Sequence, residues 1–252
     1  MSELICALGP DSAGTVVTGL VRGARTSLDV AMYEVGPSYA WALARAAHEG
    51  VRVRVILDGH RGDGNAATAA AIIAAGGECR VLPRGAAAAH WKLLLVDGRV
   101  VATGTGNLIW RDLPRDAWGR LPPTAPLLRG TREWWAVSED GDAALAATVA
   151  METAWAESRR PPPGWRLTRR AAASEPGAVG SPTPQVEPLR LGSEHGSVRL
   201  AVGGLAVGSA IGDVIEQARH RVLVTAPYLR PRAPGVRAAL NAARGARGRG
   251  AD

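Results

Sequence analysis

Three side chains within one short run have types and spacing suited to chemistry: His90, Lys92 and Asn107, in the stretch 89–107 that reads AHWKLLLVDGRVVATGTGN. Histidine and lysine two positions apart leave the same face of a strand. The run Leu93-Leu94-Leu95-Val96 that follows is typical of a strand buried on both faces. Asp97-Gly98 makes a turn, Val100 to Thr103 pairs back, and Gly104-Thr105-Gly106-Asn107 ends in a small polar loop that backbone and ligand can share closely. A neutral imidazole is a good nucleophile near neutral pH. An ammonium and a carboxamide can donate to oxygens that gain charge during its attack. That combination suits a phosphoryl centre. Lys92 is also the only lysine, every other basic side chain among the 30 Lys and Arg being arginine. A chain with that bias would carry arginine at a merely solvated site, so a compact ammonium is needed here that a planar guanidinium cannot replace.

Written as H-x-K-x4-D-x6-G-T-x-N, with all six specified positions filled, the run resembles the HKD signature of the phospholipase D superfamily. The resemblance implies cleavage or exchange of a phosphodiester through a phosphohistidine on His90, with a second histidine from another copy of the motif protonating the leaving alcohol. Lys92 and Asn107 would hold the non-bridging oxygens, and Gly104, Thr105 and Gly106 would add substrate contacts. Asp97, the third letter of the signature, is placed with the catalytic set, although its position at a turn reads as structural. Arg132-Glu133 looks like the family's acidic element, so Glu133 would hold the far nitrogen of the histidine and raise its nucleophilicity. No cofactor and no metal are expected.

Composition bounds the rest. With 252 residues, 46% hydrophobic and 21% charged, the chain can form one large domain or two small ones. Phenylalanine is absent, so the core must come from aliphatic residues and eight tryptophans. A formal charge of +7 suits a polyanionic or acidic-lipid partner. Two cysteines, Cys6 and Cys79, make no disulfide framework or metal cluster, which points to a reduced, cytoplasmic setting. No signal peptide or membrane span is expected, so any membrane association would be peripheral.

Around the motif, strand and helix patterns alternate. Residues 11–25 read as a helix capped at Asp11 or Ser12, with Val16, Val17, Leu20 and Val21 on one face. Strand signal follows at 27–33, a helix at 38–48 stopped by Gly50, and a strand at 51–57. The loop 58–64 offers His60 and Arg61 to a cleft, and an alanine-rich helix over 66–75 precedes a strand at 78–82. Beyond Asn107, residues 108–128 read as a long loop in which Trp110 and Trp118 can cover a substrate. A strand over 131–137 and a helix over 141–157, with Leu145, Val149 and Trp155 as core positions, close the unit. This rhythm predicts a layered α/β domain with a largely parallel central sheet, and the family resemblance implies a mixed sheet with helices on both faces.

Three segments are expected: a phospholipase D-like catalytic domain over 1–157, a Pro/Ala/Ser-rich linker over 158–195, and a partial second repeat over 196–252. The repeat is read from residues 208–228, which resemble the opening of the first unit at an offset of about 194. It ends before a second motif would arrive. A homodimer that pairs two copies of His90 would supply the missing histidine. The resulting expectation is a phosphodiesterase or phosphatidyltransferase, with phospholipid head groups favoured. A metal-independent nuclease acting on DNA or RNA and a non-catalytic phosphate-binding remnant are the alternatives.

Overall fold

A computed structural model of the chain describes residues 3–59, 62–82, 90–114, 131–162, 165, 189–191, 200, 204–222 and 234–251. In chain order the strands are β1 (Leu4–Leu8), β2 (Ser27–Met32), β3 (Arg52–Asp58), β4 (Glu78–Leu82), β5 (Lys92–Val96), β6 (Val100–Gly104), β7 (Trp134–Ser138) and β8 (Leu189–Leu191). The helices are α1 (Ala13–Gly23), α2 (Pro37–His48), α3 (Gly62–Ala74), α4 (Gly141–Glu157), α5 (Gly204–Glu216) and α6 (Pro234–Gly248). The chain divides into two units, 1–198 and 199–252. Among the described residues no helix is long and apolar enough to cross a membrane.

In the first unit all eight strands form one mixed sheet, ordered β4-β3-β2-β5-β6-β7-β1-β8. Parallel pairing is confined to β2 with β3 and β3 with β4, and the other five neighbour pairs are antiparallel. The parallel share is therefore smaller than the strand and helix rhythm implied. The reason is local: from β5 onward the connection to β6 is a tight turn, which can only join antiparallel neighbours.

Strand alternation divides the buried residues between two layers. Leu28, Val30, Met32, Val55, Leu57, Leu94, Val96 and Trp135 pack with Val17 and Val21 of α1, Leu43 of α2 and Ile72 of α3 in one continuous core. Helix α2 starts with proline in its first turn and stops at Gly50, whose φ is +92°, a conformation open to glycine without steric cost. The opposite face is covered by α4, capped by Asp140 accepting from the amides of Asp142 and Ala143. Buried Asp29 of β2 pairs with Arg54 at 2.6 Å, and Arg54 reaches Glu152 of α4 at 2.6 Å. Trp155 lies against the guanidinium groups of Arg54 and Arg80, at 5.2 and 4.4 Å.

Helix α4 corrects one expectation. Leu145 and Val149 are 63% and 58% exposed, and the buried face is instead Ala143, Ala144, Ala147, Met151 and Ala154. Small side chains let the helix lie close to a sheet whose outer face already carries Arg54 and Arg80. Two elements were not foreseen. Strand β1 pairs with β7, and β8 lies inside the segment read as linker, pairing antiparallel with β1. Arg159 bridges to Val81 of β4, and Trp165 packs against the core, so the first unit extends past residue 157.

In the second unit α5 and α6 pack together around Ile215, Ala242, Ala246 and Ala251. They fall close to where an offset of about 194 from α1 and α2 places helices. The strand expected between them lies largely outside the described residues. Helix α6 continues through Gly248, over residues where the repeat called for its second strand to begin.

The turn after β5 is held by Asp97, at φ +53°. Its carboxylate accepts from the amides of Arg25, Thr26 and Ser27 and from the Thr26 hydroxyl, at 2.8–3.2 Å. Burial pushes this carboxyl up, but the donors from Ser27, Thr26 and Arg25 outweigh it and hold it at about 2. Asp97→Ala is expected to cost about 2–3 kcal/mol, the scale of charge-assisted hydrogen bonds. Because the folded value is depressed, this stabilisation is present above the ordinary value of 3.8 and disappears as pH falls through about 2. Urea unfolding of both proteins across that range should show their difference closing; a difference that stays constant down to about pH 2 would contradict the assignment.

Candidate active site

Lys92 opens β5 opposite Met32, at the ends of the parallel strands β2 and β3 where crevices form in open α/β sheets. It shares its strand face with Leu94 and Val96, so its stem enters the core beneath α1–α3. Only 5% of the residue is exposed. Its Nζ donates to the His90 carbonyl at 3.3 Å and lies 5.3 Å from the centre of the Tyr33 ring. His90, one pleat earlier on the same face, is exposed and holds its ring 4.9 Å from that of Tyr33, tilted by 58°. Tyr33 extends the pairing of β2 with β5, its amide donating to the Trp91 carbonyl at 3.1 Å.

Burial lowers Lys92 to about 8, against the opposing charges of Asp112, Glu133, Asp58 and Glu34. Burial also lowers His90 below its ordinary 6.5, and the neighbouring ammonium of Lys92 lowers it further, with Asp58 acting in the other direction. Near neutral pH the site therefore holds an uncharged imidazole beside a charged ammonium. That pairing supports nucleophilic attack on an anion: the ring has its lone pair available, and the cation offsets the charge the electrophile brings.

Asn107 is brought to the same region by a tight turn. Its backbone N–H and its Nδ2 donate to Asp112 Oδ2 at 2.8 and 3.1 Å, and its Oδ1 is buried with no hydrogen-bond partner among the described residues. The turn is rigidly seated: Leu108 and Leu113 are fully buried, the Leu108 carbonyl accepts from Gly36, and the Leu113 carbonyl accepts from Tyr39 Oη at 3.1 Å. Within residues 108–114, read as the start of a loop, Leu108, Asp112 and Leu113 are thus anchored in the interior while Arg111 stays exposed. Trp110 is partly buried, while Trp118, like His60 and Arg61, lies outside the described residues.

The remaining predicted residues divide. Glu133 lies against Gly106, where an added Cβ would come within 2.9 Å of its side chain, and its charge acts on Lys92. The charge of Asp58 acts on His90, while that of Glu133 acts on Lys92. Gly104 has a packing reason: a Cβ there would meet the Trp134 carbonyl and the Trp135 indole at 2.6 Å. The Thr105 amide donates to the Trp134 carbonyl and its hydroxyl accepts from the Trp134 amide, so both groups join β6 to β7. Asp97 sits at the far end of β5, about 17 Å from Lys92 at ordinary strand rise, and is a tether rather than a member of the site.

Sequence inspection missed Tyr33, Glu34, Asp58 and Asp112. The first three stand at the ends of β2 and β3, where α3 holds the backbone: Asn65, fully buried, accepts from Val35 N–H and donates to the carbonyls of Tyr33 and Asp58. The available signal was positional, since residues following parallel strands are where an α/β sheet places its ligands.

A family model described as "Cardiolipin synthase, PLD-like domain" matches residues 17–117, the stretch that carries β2–β6, His90, Lys92 and Asn107. This match, which spans less than half of the chain, supports the phospholipase D superfamily for residues 17–117. Among solved structures, Nuc from Salmonella typhimurium, a phospholipase D family member, is similar at 22% identity with a TM-score of 0.52, the match covering 64% of this chain and 98% of that one. NucT from Helicobacter pylori is similar at 14% identity with a TM-score of 0.50, covering 64% and 99%. No curated protein matches in sequence.

Holding the ammonium in this pocket costs stability. A lysine lowered from 10.5 to about 8 carries roughly 3 kcal/mol of unfavourable charging energy at neutral pH, and this is relieved as pH rises from about 8 towards 10.5. Lys92→Met, which keeps the volume and removes the charge, is expected to raise unfolding free energy at pH 7 by about 1–3 kcal/mol, with the gain shrinking through that alkaline range. A variant less stable than the parent in urea titrations would overturn this account.

Proposed function

We propose that the protein is a phosphodiesterase of the phospholipase D type, cleaving or exchanging a phosphodiester through a phosphohistidine on His90, with a phospholipid as the favoured substrate. The observation that carries the reading is the buried, charged Lys92 whose Nζ donates to the His90 carbonyl and lies beside the Tyr33 ring, which itself contacts the imidazole of His90. The uncharged imidazole attacks phosphorus while Lys92 and the carboxamide of Asn107 donate to the non-bridging oxygens. The bond to the leaving oxygen breaks as that oxygen takes a proton from a second histidine. Water, or an acceptor alcohol in the exchange reaction, then attacks the phosphohistidine and returns its proton to that second ring. In this reading the second ring is His90 of another copy, face to face across a two-fold axis, the two rings holding one proton between them so that one attacks uncharged while the other donates. The reaction takes place in the cytoplasm, at the membrane periphery when the substrate is a lipid.

The lipid preference is supported by the description of the matching family model. A second reading, a nuclease acting on DNA or RNA, is supported by the formal charge of +7. Parallel assays on phosphatidylglycerol vesicles and on single-stranded DNA separate them.

Turnover of bis(p-nitrophenyl) phosphate should follow a bell-shaped pH profile. The acid limb lies below pH 6.5, where His90 gains a proton, and the alkaline limb lies near pH 8, where Lys92 loses one. His90→Ala should lower kcat at least about 1,000-fold and abolish labelling of the protein by a radioactive phosphodiester. Turnover that persists in this variant would rule out the phosphohistidine route.

A further inference from the structure

Asp112 is 3% exposed, yet its carboxylate is occupied on both oxygens. Oδ2 accepts from the Asn107 amide at 2.8 Å and from Asn107 Nδ2 at 3.1 Å, and Oδ1 accepts from the Thr131 hydroxyl at 3.0 Å, with the exposed Arg111 Nε at 3.7 Å. A carboxylate can only accept, so it fixes which way the Asn107 carboxamide faces: turning the amide over would bring Oδ1 against Oδ2. One Nδ2 hydrogen is thereby taken, and the other has no acceptor among the described residues.

The same carboxylate is the foremost of the charges that oppose the desolvation of Lys92, ahead of Glu133, Asp58 and Glu34. Its position is enforced by the backbone. The Asp112 amide donates to the Ile109 carbonyl at 3.2 Å, buried Leu113 follows it, and its own carbonyl lies where a Cβ on Gly9 would come within 2.9 Å.

We infer that Asp112 is a positioning residue of the phosphoryl site: it sets the orientation of the Asn107 carboxamide so that the second Nδ2 hydrogen is presented to a phosphoryl oxygen, and its buried negative charge acts on the ammonium of Lys92. The inference rests on the phosphodiesterase reading for the identity of the bound group. The ordering of Asn107 and the protonation of Lys92 do not depend on it. No feature of the H-x-K signature encodes this residue, which lies five positions beyond Asn107 in sequence.

The test uses the full chain and exploits its single lysine. Isotopic labelling with [ε-13C]lysine yields one side-chain resonance, and its pH titration reports Lys92 alone, with no substrate present. The groups facing Lys92 are His90, Tyr33, Asp112, Glu133, Asp58 and Glu34, and only Asp112 is changed. In Asp112→Asn the midpoint should fall from about 8 by about one unit or more. Inorganic phosphate, added at pH 6.5 and followed through the same resonance, should bind at least about 10-fold more weakly than to the parent. Asn107→Ala should weaken phosphate to a similar degree, and the double variant should be no weaker than either single one, because both remove one arrangement. Asp112→Glu keeps the charge and moves the carboxylate, so it should retain the Lys92 midpoint and still lose phosphate affinity; it also decides the matter if Asp112→Asn does not fold. An unchanged midpoint in Asp112→Asn, or additive losses in the double variant, would overturn the inference. A parent protein that neither binds phosphate nor turns over a phosphodiester, but whose Lys92 midpoint falls in Asp112→Asn, would instead refute the phosphodiesterase reading and leave the electrostatic role standing.

Discussion

The desolvated ammonium of Lys92 is the constraint that organises the first unit. Placing a cation at the start of an apolar strand is unfavourable unless opposite charges approach it, and here they come from four separate places: the end of β3, the residue after Tyr33, the turn following Asn107 and the residue before β7. Each must be delivered by its own element. The buried Asn65 that joins the ends of β2 and β3 and the Leu108–Leu113 turn seated on α2 are explained as parts of that delivery. Stability is given up at one residue, and the surrounding scaffold is correspondingly rigid.

The same arrangement sets the protonation of two groups at once. Burial acts on Lys92 and His90 in the same direction, and the ammonium adds to the effect on the imidazole. A neighbouring cation thus keeps the ring uncharged at pH values where an ordinary histidine would be partly protonated. The exposed ring and the buried ammonium occupy successive positions on one strand face, so the strand's pleat alone brings the two together.

How much of this was legible in the sequence depends on distance along the chain. The strand pair at 92–104, the helices over α1 and α2 and the glycine stops follow from local periodicity and turn chemistry, and they appear where expected. His90, Lys92 and Asn107 share a recognisable spacing because adjoining strands fix their separation. Asp112, Asp58, Glu34 and Tyr33 have no such spacing, since their proximity is created by the sheet order and not by neighbouring residues. The glycines illustrate the limit from the other side. Gly104 and Gly106 read as loop positions open to a ligand, whereas the structure uses them to admit the Trp135 indole and the Glu133 side chain. The outward-facing Leu145 and Val149 show that apolar type does not determine which face of a helix is buried when its alanines fit the sheet more closely.

The segment after α4 has a consequence for where this domain can be cut. Arg159 pairs with β4 and Leu189–Leu191 pairs with β1, so the two outermost strands of the remaining sheet are each capped by chain that composition alone would assign to a spacer. Unpaired strand borders are templates for association with other molecules, and proteins commonly shield them. A fragment ending at the close of α4 would retain His90, Lys92 and Asn107 but leave both borders open, inviting intermolecular strand pairing. Arg159 and Leu189–Leu191 are accordingly better regarded as a seal on the two ends of the sheet than as part of a spacer.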